Sequence, residues 1–146
     1  SRRSFIAGAY IFEFGKEPKV PSLFEVQEFI DDSNNPVIAA IHGTALGGGL
    51  EVALTCHYRI AVPSAKCGLP EVNLGLLPGE GGTQRLPRVV GVEKALQMVT
   101  SGHHVPAKNV KQGLVAEIAN ADSLKAYSIT IGKKLASVNR QLGKIS

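Results

Sequence analysis

Three consecutive glycines, Gly47, Gly48 and Gly49, stand between a β-rich apolar run at 37–41 and a helix-forming stretch at 50–55. A backbone bare of side chains at such a junction can come directly against another group. At a helix N-terminus the first N–H groups have no intrahelical acceptor, and the dipole there favours negative charge. The junction therefore suits a phosphate or a developing oxyanion, or else serves only as a tight packing turn. Two phosphate motifs are missing. The loop does not end in Lys-Ser/Thr, and Gly79-Glu80-Gly81-Gly82 does not complete G-x-G-x-x-G. Nucleotide hydrolysis and dinucleotide binding are both disfavoured.

Around this junction the pattern alternates. Residues 22–33 predict a helix, because Ser22 and Glu25 make an S-x-x-E capping box and Leu23, Val26 and Ile30 recur at helical spacing. Asn34-Asn35-Pro36 ends it. Runs 37–41 and 58–62 predict strands buried on both faces. Residues 64–82 are broken up by Gly and Pro and read as irregular. Further on, Val92, Ala95, Leu96 and Val99 make one apolar helical face. Residues 107–112 predict a short helix that Gly113 can cap, and 123–138 a longer one with Leu124, Ile131 and Leu135 inward. Strands alternating with helices imply an α/β layered fold in one domain over 1–146.

Composition narrows the partners. No apolar run approaches the roughly 20 residues of a membrane span, and no basic-then-apolar signal segment opens the chain. Cys56 and Cys67 are too few for a disulfide framework and suit an intracellular, reducing compartment as buried thiols. His42, His57, His103 and His104 fall in no zinc spacing, so no metal is expected. The net charge of +4 favours anionic partners, but the basic residues are scattered and Trp is absent. Nucleic acid is therefore a poor partner, and a small anionic ligand a better one.

Two carboxylates draw attention. Glu51 lies in the first turn of the helix after the glycines, where it could simply complement the dipole. Glu71 follows Pro70 in the irregular segment. A carboxylate pair beside an oxyanion site is what acid/base chemistry at the α-carbon of a carbonyl needs. Glu80 reads as a solvated loop residue. Ser101-Gly102 reads as a helix end and not a nucleophile, since it lacks the G-x-S-x-G elbow.

Taken together, I-H-G-T-A-L-G-G-G-L-E at 41–51, G-L-P-E-V at 68–72 and L-L-P-G-E-G-G-T-Q-R-L at 76–86 resemble the enoyl-CoA hydratase/isomerase (crotonase) family. F-I-A-G-A at 5–9 and the segment 107–115 ending G-L-V extend the resemblance in consistent order. The hydratase part of peroxisomal-type multifunctional β-oxidation enzymes is the nearest likeness. The resemblance implies a crotonase-like (ββα) superhelix core, partial and truncated at both ends. It also implies hydration of 2-enoyl-CoA thioesters in fatty-acid β-oxidation. The backbone N–H groups of Ala9 and Gly48 would form the oxyanion hole, and Gly79 would line the substrate pocket. Glu51 would activate water and Glu71 would deliver a proton to the α-carbon. Two departures stand out: Tyr10 replaces the family's Asp, and Glu80 replaces a small residue.

By the same resemblance the CoA thioester is the substrate, with no metal or redox cofactor. The chain would form a homotrimer or hexamer, or part of a larger multifunctional chain. It would lie in the cytoplasm of a bacterium, or in a peroxisome or mitochondrion of a eukaryote. Two alternatives stay open: a Δ3,Δ2-enoyl-CoA isomerase, in which Glu71 alone shuttles a proton, and a non-catalytic crotonase-like binding module.

Overall fold

The computed structural model describes residues 4–8, 17, 20–111, 113–138 and 145. The capping box forms as the sequence predicts. The Glu25 N–H donates to Ser22 Oγ at 3.2 Å and the Ser22 N–H to Glu25 Oε2 at 2.6 Å, opening helix α1 (Leu23–Asp31).

The chain then divides its strands between two sheets. Strands β1 (Ser4–Ile6), β3 (Thr44–Leu46), β5 (Lys66–Gly68) and β6 (Val105–Pro106) lie side by side in one. The other holds β2 (Ile38–Ile41), β4 (Tyr58–Ala61) and β7 (Glu117–Ile118), all parallel. From β2 the chain crosses to β3, forms helix α2 (Gly48–Thr55), and returns through β4 to β5. Ile38 then pairs with Tyr58 in one sheet while Thr44 pairs with Lys66 in the other. This ββα pass bears out the α/β reading.

Helix α2 sits where the layers meet, touching β1, β3, α1 and helix α3 (Gly82–Val90). Leu50, Ala53 and Leu54 are fully buried, as a helix enclosed on nearly every side requires. Gly49 makes the closest approach: a Cβ there would collide with the Ile6 carbonyl, so any side chain would push α2 off β1. Beneath α2, the buried Arg59 of β4 donates from Nη1 to the Cys56 carbonyl at 2.6 Å and from Nε to the Leu114 carbonyl at 2.6 Å. The C-terminal end of a helix dipole is a favourable place for that cation.

The structure corrects the reading of several segments. Residues 64–82 are not irregular throughout: β5 and a 3-10 turn at Pro70–Leu74 lie inside them. Helix α3 follows despite Pro87 in its interior, a residue that masks helical pattern in sequence. In α4 (Val92–Ser101) the buried face is rotated toward Ala95 and Met98, while Val92 and Leu96 face solvent, because only one side of α4 meets α3 and the 3-10 turn.

The short helix expected at 107–112 is a 3-10 turn at Ala107–Val110. Helix α5 (Leu124–Ser137) matches its expected span, with Leu124 buried and Ile131 packed on the core, while Leu135, expected inward, is only half-buried. Cys56 and Cys67 are buried free thiols, and burial pushes the Cys67 thiol up to about 12. Among the described residues no helix is long and apolar enough to cross a membrane.

Candidate active site

Glu51 enters the first turn of α2 directly after the glycines and is only 2% exposed. A buried carboxylate needs partners. Its Oε1 accepts from the N–H groups of Glu80 and Gly82, each at 2.9 Å. Burial pushes the Glu51 carboxyl above the ordinary carboxylate range, while the two N–H donors pull it back. Gly82 fits here for want of a side chain, since a Cβ would stand 2.8 Å from Oε1.

Glu71 sits on the 3-10 turn, half-buried. Its Oε2 is shielded from water and has no hydrogen-bond partner, and burial raises its pKa, with the charge of Glu51 adding to the rise. Gly47 stands between the two. Its φ of 53° falls in the left-handed region, and a Cβ there would meet Glu71 Oε1 at 3.0 Å.

Both carboxylates line one cleft of about 380 Å³, with Leu23, Leu74, Leu76 and Leu77 as an apolar wall. Gly48, the first residue of α2, also lines it, and its N–H has no intrahelical acceptor. Gly79 lines the rim with open space around it. Ala9 and Tyr10 lie outside the described residues. A larger groove of about 580 Å³ between α5 and β2 holds no carboxylate, so this chemistry has no place there.

The cleft thus gathers Gly48, Glu51, Glu71 and Gly79 from three stretches of chain. Sequence reasoning missed how Glu51 is held. Glu80 is not a solvated bystander: it is half-buried and its N–H grips Glu51. The glycines flanking it were the available signal. Leu74, Leu76 and Leu77 also escaped notice, because exposed leucines in an irregular segment carry no periodicity. Among the described residues no cluster of His, Cys, Asp or Glu is arranged to hold a metal ion.

The family model for enoyl-CoA hydratase/isomerase matches residues 5–144. The chain belongs to this family. It is 47% identical over 138 residues to the peroxisomal bifunctional enzyme of Danio rerio, covering 91% of this chain and 19% of that protein. It is 51% identical over 122 residues to a probable enoyl-CoA hydratase of Bacillus subtilis (strain 168), covering 78% of this chain and 47% of the relative.

Among solved structures, the enoyl-CoA hydratase from Bacillus anthracis superposes with a TM-score of 0.85 at 39% identity, over 94% of this chain and 56% of that one. The fold is therefore that of the enoyl-CoA hydratase/isomerase family, the crotonase fold. This family member spans about a fifth of the Danio rerio enzyme's length and about half of the two bacterial proteins'.

Proposed function

We propose that the protein hydrates 2-enoyl-CoA thioesters, using Glu51 and Glu71 as its acid/base pair and the Gly48 N–H as an oxyanion donor. One observation carries this reading: two carboxylates, both with pKa raised by burial, face one apolar cleft beside a helix N-terminus. The apolar wall accepts a hydrocarbon chain, and the glycine junction accepts a carbonyl.

The hydrogen bonds support a division of labour in which Glu51 is the base and Glu71 the acid. The two N–H groups on Glu51 favour its ionised form, which suits a base that takes a proton from water as the water oxygen attacks the β-carbon. Electrons then move onto the thioester oxygen, where the Gly48 N–H and, in this proposal, the Ala9 N–H receive the charge. Losing one such donor costs roughly 3–4 kcal/mol of barrier.

Glu71, with Oε2 shielded and unpartnered and its pKa raised by burial, gives its proton to the α-carbon. Protons balance: one leaves water for Glu51 and one leaves Glu71 for carbon, and exchange between the two carboxyls resets the site. Addition of water is redox-neutral, so the substrate and water suffice as reactants.

The relatives' names support placing this reaction in fatty acyl-CoA breakdown. They also support one partial hydratase domain within a longer, bifunctional chain, peroxisomal in a eukaryote. Assembly as a trimer or hexamer belongs to the same proposal. The test is loss of the conjugated thioester absorbance of crotonyl-CoA with the intact protein. Turnover that collapses in Glu51→Gln and in Glu71→Gln supports the reading. A folded protein that binds the thioester without turning it over refutes it.

A further inference from the structure

Building on the hydratase reading of Glu51, we propose that Arg85, clamped to Asp31, is a positioning residue that holds the Glu80–Gly82 turn against the Glu51 carboxylate. Arg85 lies on α3, and its Nη2 donates to Asp31 Oδ2 of α1 at 3.1 Å. Its Nη1 reaches back to the Glu80 carbonyl at 3.4 Å. The two side chains are 18% and 24% exposed, so solvent screens this pair less than an ordinary surface one. The guanidinium rests on Gly81, where a Cβ would collide with Nη1.

The residue between these contacts is Glu80. Arg85 holds its carbonyl, while its N–H holds Glu51 Oε1 beside the Gly82 N–H. A continuous line of contacts therefore runs from α1 through Asp31, Arg85 and the turn to Glu51 on α2. If Arg85 lets go, the turn loses its outer support, and the two donors on Glu51 lose their fixed direction.

Charge acts in the same sense. The groups facing Glu51 are Glu71 from the 3-10 turn, Glu80 from the turn itself and Arg85 from α3, with Asp31 of α1 behind Arg85. Glu80 opposes ionisation of Glu51, and Arg85 favours it. The cation offsets the negative charge that Glu80 brings to the pocket.

The test uses Arg85→Gln, Arg85→Lys and Asp31→Asn in the intact protein. In Arg85→Gln, kcat for crotonyl-CoA should fall about tenfold, less than the roughly 10²-fold that a full 1 Å misplacement brings. KM should change little. The acid limb of the kcat profile should move to higher pH, and the Glu51 titration followed by carboxyl carbon NMR should move the same way. Arg85→Lys should return the limb toward wild type because the charge returns. It should recover only part of kcat, because an ammonium cannot reproduce the fork between Asp31 and the Glu80 carbonyl.

A folded Arg85→Gln with wild-type kcat and Glu51 titration overturns the proposal. So does one that only melts earlier, which makes the pair a structural tie. If Arg85→Gln does not fold, Asp31→Asn decides: a lowered kcat at unchanged KM supports the clamp and a wild-type kcat refutes it. Should wild type fail to hydrate, the hydratase reading falls. The NMR titration then decides the clamp alone: an upward shift supports it and no shift overturns it.

Discussion

Glu51 and Glu71 are the same residue type in one cleft, yet their surroundings differ at every level. Glu51 stands on a helix in the middle of the core and is fastened by two backbone N–H groups at 2.9 Å. Glu71 stands on a single 3-10 turn at the edge, with one oxygen shielded and unpartnered. Burial raises both pKa values; the N–H groups of Gly82 and Glu80 oppose the rise at Glu51, and at Glu71 its own backbone N–H does. Both carboxyls are thereby raised toward the range in which acid/base chemistry operates, and what distinguishes them is the pair of N–H donors that fastens Glu51.

The largest effect should come from removing either carboxylate. Glu51→Gln and Glu71→Gln should each lower crotonyl-CoA hydration by about 10²- to 10⁴-fold, the usual range for a lost general acid or base. If one of them stays active, the symmetry of need between the two regions is broken. Gly82→Ala comes next. Its Cβ would stand 2.8 Å from Glu51 Oε1 and 3.1 Å from Leu69 Cδ1, so Glu51 must shift, and kcat should fall about 10²-fold while Glu71 is left untouched. A kcat equal to wild type would show that Glu51 tolerates displacement.

Stability should separate the pair more gently. A carboxyl whose folded pKa is raised stabilises the fold below its unfolded value and loses that contribution as pH rises through the folded one. Glu71→Gln should therefore flatten the fall in Tm between mildly acidic and neutral pH, since the amide that replaces the carboxyl carries no charge to desolvate. A steeper fall in calorimetric Tm would contradict the shielded, unpartnered state of Oε2. Smallest of all, Glu80→Gln keeps the backbone donor to Glu51 and removes a repelling charge. The acid limb of kcat should move slightly to lower pH, and a move upward would reverse the sign given to Glu80.

Much of this was legible in the chain itself. The capping box of α1, the strand at 37–41, the entry into α2 from Gly47–Gly49 and the candidacy of Glu51 and Glu71 all rest on local pattern. Caps, periodicity and glycine runs act within a few residues, so a sequence displays them directly. Strand β3 was hidden inside the glycine-bearing loop, and α3 behind Pro87, because tertiary pairing overrides weak local preference. Arg59 in a strand read as buried gave no warning of the carbonyls of α2 and Leu114 that accept from it.

Local sequence was enough to say which chemical groups the protein owns and roughly where its helices begin and end. The protonation preferences of those groups and their company came from packing. Tertiary structure brought Glu80 and Gly82 to Glu51 across about thirty residues of chain, left Glu71 Oε2 without a donor, and set Arg85 against Asp31. The physical reason is range. Desolvation and hydrogen-bond direction depend on what packs around an atom in space, and neighbours in space are fixed only when the two sheets and α2 close together.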